Sequence, residues 1–244
     1  MKILSLDSST YLGGISLLEQ GQTVGHLALN HPQGHASAMP LALEQLVNQV
    51  DWSYADIDLI VVTIGPGSFT GLRVALGLAK GIALVHGTAV VAVPTLTAIA
   101  SAPLLTQHCA HIATPYRLVV NDARRGELFA ALYQSQSHGV DDFQIKTCWQ
   151  PWRYTVDQLS QTIMDGCQNM PEMRTMVVVG DGLSQAATML GQVLDPASLM
   201  LPDVHAVDAI ALAHYGHRWY QQHGAADVAT LEPLYLRRTT AEEP

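Results

Sequence analysis

Lysine and arginine are scarce in this chain: 12 among 244 residues, against 21 aspartates and glutamates, for a formal net charge of −9 at pH 7. Their only adjacent pairs are Arg124-Arg125 and Arg237-Arg238. A domain that grips nucleic acid unaided carries a basic patch, because phosphate contacts dominate affinity. The composition therefore argues against independent RNA or DNA binding. Cysteine is scarcer still. Cys109, Cys148 and Cys167 are odd in number and lack Cys-x-x-Cys spacing, which argues against a disulfide framework and a structural zinc site. Long apolar runs are missing as well, none approaching the ~20 residues of a membrane span. The start, Met1-Lys2-Ile3-Leu4-Ser5-Leu6-Asp7, meets an acid too early for a secretory signal. The expectation is a cytoplasmic protein that does not engage membranes.

Apolar residues, by contrast, make up 48% of the chain. A chain of this length buries roughly 70–75% of its unfolded surface, enough for one large core or two modest ones. Its best-marked stretch is Gly65-Pro66-Gly67-Ser68-Phe69-Thr70-Gly71-Leu72-Arg73, where an apolar strand turns through three glycines into a helix. Glycines before a helix N-terminus admit anions, yet neither familiar phosphate loop fits. A Walker loop needs Gly-Lys-Ser/Thr where Gly71-Leu72-Arg73 stands, and the dinucleotide fingerprint needs Gly-x-Gly-x-x-Gly with an acid about twenty residues on. Ser68 is not in a Gly-x-Ser-x-Gly elbow; Ser68 or Thr70 suits a helix cap instead.

The order of elements repeats. Ile3–Leu6 reads as a strand ending at Asp7, followed by strands Gly14–Leu18 and Gln22–Leu29, and a helix through Met39, Leu43, Leu46, Val47 and Val50 with Ser37 as cap. Strand Ile57–Ile64, the glycine turn, a helix to about Val85, strand Ala89–Val93 and a helix from Thr95 complete the first half. The second half restates this with Leu118–Asp122, Leu128–Tyr133, Phe143–Trp149, a helix Val156–Met164, and strand Thr175–Val179 before Gly180-Asp181-Gly182. Hairpins followed by alternating strands and helices imply mixed sheets flanked by helices. The predicted lobes are residues 1–103 and 104–244, with a boundary between Pro103 and Pro115. The final helix, about 207–221, is placed to pack back on the first lobe. The tail Glu232–Arg237 reads as extended.

The helix after the glycine turn has almost no polar face, since only Arg73 and Lys80 are charged. A helix apolar all round is covered all round. Gly77 and Gly81, one turn apart near Lys80, each cost about 0.8–1.0 kcal/mol relative to alanine, which suggests another backbone close by. Two covers are open: the chain's own sheet or the Met39–Val50 helix, and a second subunit.

This duplicated order resembles the actin, hexokinase and sugar kinase superfamily, an α/β, ribonuclease H-like two-lobed fold. The sequence details resemble the TsaB (YeaZ) family more closely. They are the opening Ile-Leu-x-Leu-Asp-Ser-Ser-Thr, the Gly65–Arg73 turn, Asp122-Ala123-Arg124-Arg125-Gly126-Glu127, and Pro233-Leu234-Tyr235-Leu236-Arg237. Such proteins serve the synthesis of threonylcarbamoyladenosine in tRNA. The resemblance implies a non-catalytic subunit that supports a catalytic paralogue, TsaD, alongside the ATPase TsaE, with tRNA met only indirectly. The first lobe would contact TsaD, or a second copy of the chain through the same surface. The implied interface residues are Gly71, Arg73, Gly77, Lys80 and Gly81.

In TsaD a metal-binding His-x-x-x-His follows the strand that is Val90–Val93 here. Those positions fall on Thr95 and Ile99, one a poor ligand and the other none. Eleven histidines include His108-x-x-His111 and His214-x-x-His217, but there is no His-Glu-x-x-His. Neither pair has a nearby carboxylate to complete a site, so no metal is expected. ATP-using members of the fold handle phosphate and Mg²⁺ at the first hairpin, which makes Asp7, Ser8 and Thr10 the weak cofactor candidates. Asp7 is otherwise a strand terminator accepting turn N–H groups, and Asp122 belongs to an exposed turn with local salt pairs. Tight cofactor binding is not expected; ATP and Mg²⁺ would be used through partners. The rival readings are a free-standing enzyme of this fold, kinase or metallopeptidase, and a homodimeric binding module unrelated to tRNA.

Overall fold

A computed structural model describes residues 1–30, 35–102, 114–136, 145–201 and 204–236. The chain divides into two compact units. One joins Met1–Ala98 to Ala206–Tyr235, and the other comprises Ile99–His205 and the stretch from Leu236.

The first unit is built on a five-stranded sheet. Its strands are β1 (Lys2–Asp7), β2 (Leu12–Glu19), β3 (Gln22–Asn30), β4 (Leu59–Gly65) and β5 (Ala89–Pro94), in the order β3-β2-β1-β4-β5. The hairpins are antiparallel, with Leu4 opposite Leu17 and Asp7 opposite Gly14, while β4 and β5 run parallel to β1. Strands β1 and β4 are buried along nearly their whole length because both sheet faces are covered. Leu4, Leu6, Ile15, Leu17, Ile60, Val62 and Val90 point into one core with Met39, Leu43, Leu46, Ala75, Leu76 and Ala79. These last come from α1 (His35–Gln49) and α2 (Phe69–His86). On the opposite face lies α6 (Ala209–His223), capped by Asp208, whose carboxylate accepts from the Ile210 and Ala211 amides. Ser5 Oγ donates to the Ala209 carbonyl at 2.6 Å and shares a hydrogen bond with Ser16 Oγ at 2.8 Å. Gly216 lets α6 settle onto Val61, where any Cβ would collide. A short helix, α3 (Thr95–Ala100), follows β5.

The second unit repeats the plan. Its strands are β6 (Tyr116–Arg124), β7 (Glu127–Ser135), β8 (Ile145–Thr155), β9 (Val177–Val179) and β10 (Leu199–Leu201), with β8-β7-β6-β9-β10 echoing the first sheet. Helices α4 (Val156–Asn169) and α5 (Leu183–Val193) cover a core of Leu118, Val120, Leu128, Leu132, Leu159, Ile163 and Leu190. Thr155 and Gln158 form a reciprocal capping box that starts α4.

Several boundaries differ from the sequence-based expectation. Helix α1 begins at His35, so Ser37 lies inside its first turn rather than capping it. Strand β8 runs on to Thr155 past Pro151, a residue that normally ends a strand. The register slips at that point, between Ala130 and Leu132, and β8 is a sheet edge, where proline costs least. Helix α4 continues five residues beyond Met164 to Asn169, and the three-residue β10 was not foreseen. The tail is neither strand nor helix as far as Leu236. One helix among the described residues, α2, is long and apolar enough to cross a membrane. Here its inner face packs on β1 and β4. The proposed lobe boundary, the His108/His111 pair, Cys109 and Arg237-Arg238 lie wholly or mostly outside the described residues.

Candidate functional site: the glycine turn and the outer face of α2

Strand β1 ends in a buried carboxyl group. Asp7 Oδ1 accepts three hydrogen bonds, from the Ser9 amide at 3.1 Å, Ser9 Oγ at 2.6 Å and Thr63 Oγ1 at 2.6 Å. Its Oδ2 has no partner among the described residues, and neither has the neighbouring Ser8 Oγ. Burial without a cation pushes the Asp7 carboxyl above its usual range, against the opposing pull of the Ser9 and Thr63 hydrogen bonds. Thr10 faces elsewhere, its hydroxyl donating to the Leu12 carbonyl at 2.8 Å.

The glycine turn sits directly on this hairpin. Gly65 takes φ +113° and is joined to Pro66 by a cis peptide bond. The Ser68 amide donates to the Ser9 carbonyl at 2.7 Å. Gly67 lies against that same carbonyl and Gly71 against the Ser8 carbonyl, each so close that a Cβ would overlap the oxygen. Ser68 also caps α2, accepting from the Gly71 amide at 3.2 Å. The glycines bring the chain's own carbonyls up to the helix N-terminus. Acceptors therefore occupy the place where a phosphate would need donors, and Asp7 Oδ1 is already taken up by Ser9 and Thr63. The three candidate residues Asp7, Ser8 and Thr10 form a closed terminus that does not fit a metal–phosphate group.

The outer face of α2 is different in kind. Phe69, Arg73, Gly77, Gly81, Leu84 and Val85 all lie exposed, Leu84 by 70% and Val85 by 76%. At Gly77 and Gly81 an added Cβ would meet nothing within 4 Å among the described residues beyond the helix's own backbone. The chain's own sheet and the α1 helix, one of the two covers considered from sequence, thus leave these glycines bare. Arg73 is stacked with its guanidinium 3.8 Å over the Phe69 ring, and Lys80 donates to the Leu231 carbonyl at 3.0 Å. Four of the five residues expected to meet a partner thus gather on one stripe, while Gly71 is buried beneath it against Ser8. The contribution of Tyr235, which holds Arg73, escaped the sequence reading. A lone aromatic near the chain's end carries no periodic signal.

The remaining candidates lie apart. Thr95 opens α3 with its hydroxyl buried and unpartnered among the described residues, and Ile99 is fully buried. In the second unit Arg124 and Asp122 pair at 3.6 Å across an exposed turn. The Asp122 amide donates to Asp181 at 2.7 Å. Asp181, whose carboxyl is raised by burial against the pull of the Asp122 amide, borders an apolar cavity of about 300 Å³ with Leu183, Ser184, Ala187 and Met200. His214 and His217 are held below the usual imidazole range, by burial first and by Arg218 among the charged neighbours. Among the described residues no three His, Cys, Asp or Glu side chains gather as a metal site.

Two five-stranded mixed sheets of identical strand order, each flanked by helices, define the duplicated actin/hexokinase-like class, ribonuclease H-like in each half. A family model described as TsaD, tRNA N6-adenosine threonylcarbamoyltransferase, matches residues 30–243. TsaB of Bacillus subtilis, named as a tRNA threonylcarbamoyladenosine biosynthesis protein, is 29% identical over 99% of this chain and 96% of its own. The Escherichia coli protein of the same name is 26% identical with the same coverage. The solved structure of YeaZ from Pseudomonas aeruginosa superposes with a TM-score of 0.76 at 19% identity, covering 96% of this chain and 99% of that one. The chain belongs to this threonylcarbamoyltransferase-type family, within its TsaB (YeaZ) branch.

Proposed function

We propose that this chain is a cytoplasmic, non-catalytic subunit of the machinery that makes threonylcarbamoyladenosine in tRNA. It binds a TsaD-like catalytic paralogue through the outer face of α2 and holds that partner in its active arrangement. A TsaE-like ATPase supplies nucleotide turnover, and a second copy of the chain can occupy the same face when the paralogue is absent. The observation that carries this reading is the pair of bare glycines, Gly77 and Gly81, between Arg73 and the exposed Leu84 and Val85. A stripe without side chains admits a partner helix to close backbone distance, and apolar exposure concentrated there marks a protein interface. The closed hairpin at Asp7 supports assigning nucleotide chemistry to the partners rather than to this chain.

Reconstitution tests the proposal. The paralogue, the ATPase, MgATP, tRNA and the threonylcarbamoyl adenylate donor are assayed for modification with and without this subunit, and modification should depend on it. Gly77→Leu should abolish co-purification with the paralogue while leaving the circular dichroism spectrum unchanged. Full modification without the subunit, or undiminished capture of the Leu variant, would refute it.

A further inference from the structure

Helix α6 carries a ladder of rings on its outward side. Tyr215, Trp219 and His223 follow one another at four-residue spacing. The Tyr215 and Trp219 rings stack at 6.2 Å and 24°, and the Trp219 and His223 rings at 4.0 Å and 19°. The ladder starts half-buried and ends exposed at His223, where the helix stops at Gly224. His223 Nδ1 lies 3.2 Å from the Trp219 carbonyl, a hydrogen bond that fixes the terminal ring. Burial pushes the Tyr215 phenol up to about 12, so the first ring stays neutral. Between residues 209 and 223 there is no aspartate or glutamate, although the chain as a whole carries −9. The ionisable side chains of this helix are instead Arg218 and the imidazoles of His214, His217 and His223, beside the two tyrosines.

We propose that this ladder is a stacking platform for unpaired bases of RNA, which continue the series at its His223 end. The inference rests on the tRNA-modification reading above, and it replaces the expectation that tRNA is met only indirectly. Rings held in a row are the element on which single-stranded nucleic acid stacks, because every base has a π-face. A protein partner is a poorer match. Trp219, 41% exposed, is the one large apolar side chain offered on this helix, far short of the roughly 800 Å² that a stable protein interface buries on each side.

The test uses the full chain and a fluorescein-labelled single-stranded RNA of mixed sequence, about ten nucleotides long, read by anisotropy in low salt. Binding is expected with a Kd on the order of 10–100 μM. Trp219→Ala and His223→Ala should weaken it by about 5- to 100-fold, and His223→Phe, which keeps a ring, should hold it within about threefold of the unaltered chain. Both side chains are exposed, so unchanged circular dichroism is expected in every variant. A blunt duplex of the same sequence should bind more weakly. Equal affinity of the Ala variants and the unaltered chain overturns the platform, as does absence of binding by the unaltered chain. The two readings separate cleanly. RNA binding without stimulation of modification would sink the subunit role and leave the platform. Stimulation and paralogue capture without a ring-dependent RNA affinity would do the reverse.

Discussion

Arg73 and Tyr235 stand 162 residues apart in sequence, yet Arg73 Nε donates to the Tyr235 hydroxyl at 3.0 Å. Phe69 completes the cluster, its ring 5.1 Å from that of Tyr235 and beneath the Arg73 guanidinium. The group stands at the N-terminal end of the bare stripe on α2 and ties the chain's tail to it. Because it is exposed, it is worth little to stability. Tyr235→Phe and Arg73→Ala should each lower unfolding free energy by about 1 kcal/mol or less in urea titrations. Their effect on paralogue capture should be larger, since stacked arginine and tyrosine are the side chains that dominate interfaces. Equal capture by the Arg73→Ala variant would remove this cluster from the interface.

The two bare glycines make an unusual stability prediction. Both have ordinary helical φ and open space at the Cβ position. Gly77→Ala and Gly81→Ala should each stabilise the isolated chain by about 0.8–1.0 kcal/mol, the helix-propensity difference. Leucine at either place, nearly as good a helix former as alanine, should also raise urea stability slightly and still block the partner. A loss of stability on alanine substitution would show that the space is filled.

Gly71, in the first turn of the same helix, should behave in the opposite way. A Cβ there overlaps the Ser8 carbonyl, which is backbone and cannot rotate aside. Gly71→Ala should cost at least about 1–3 kcal/mol, the range for forced overpacking, measured as a lowered urea midpoint.

Asp7 makes stability depend on pH. Its folded pKa is raised above the unfolded value of 3.8. Its contribution is therefore fully present below the unfolded pKa and is lost as pH rises through the folded one, because the buried carboxyl must either hold its proton or ionise without a cation. Asp7→Asn keeps an acceptor for Ser9 and Thr63 and has nothing to ionise. The variant should gain on the parent steadily as pH rises above about 4, read as the difference in urea midpoints between acid and neutral pH. Parallel profiles would mean that Asp7 titrates normally.

Much of the architecture was legible because apolar runs ending at Asp7 and near Asp122 recur with the same succession of hairpins and helices. The sheet order itself could not be read, since periodicity shows which faces are buried and not which strands neighbour one another. Ser68 was recognisable as a cap; Ser37 is not one, because α1 is already helical at His35. The stripe on α2 was visible as an excess of apolar residues. That Gly71 answers to Ser8, and Gly77 to nothing within 4 Å among the described residues, needed coordinates, because the two glycines look alike in sequence. The Tyr215–Trp219–His223 ladder was not read from sequence, where this helix drew notice only for His214 and His217, since ring stacking leaves no mark on hydropathy.

The segment after α6 has one more effect. The Ala226 amide reaches the Val90 carbonyl at 2.8 Å, along the outer side of β5, and the chain then carries Leu231 into the core and the Leu234 amide to the Ile64 carbonyl at 2.7 Å. Strand β5 is the end of its sheet and reads Ala-Val-Val-Ala-Val-Pro. An uncovered edge of that composition invites the same strand of another molecule to pair with it. The tail therefore covers part of that edge, and removing residues 225–236 should raise light scattering at temperatures where circular dichroism still reports a folded chain.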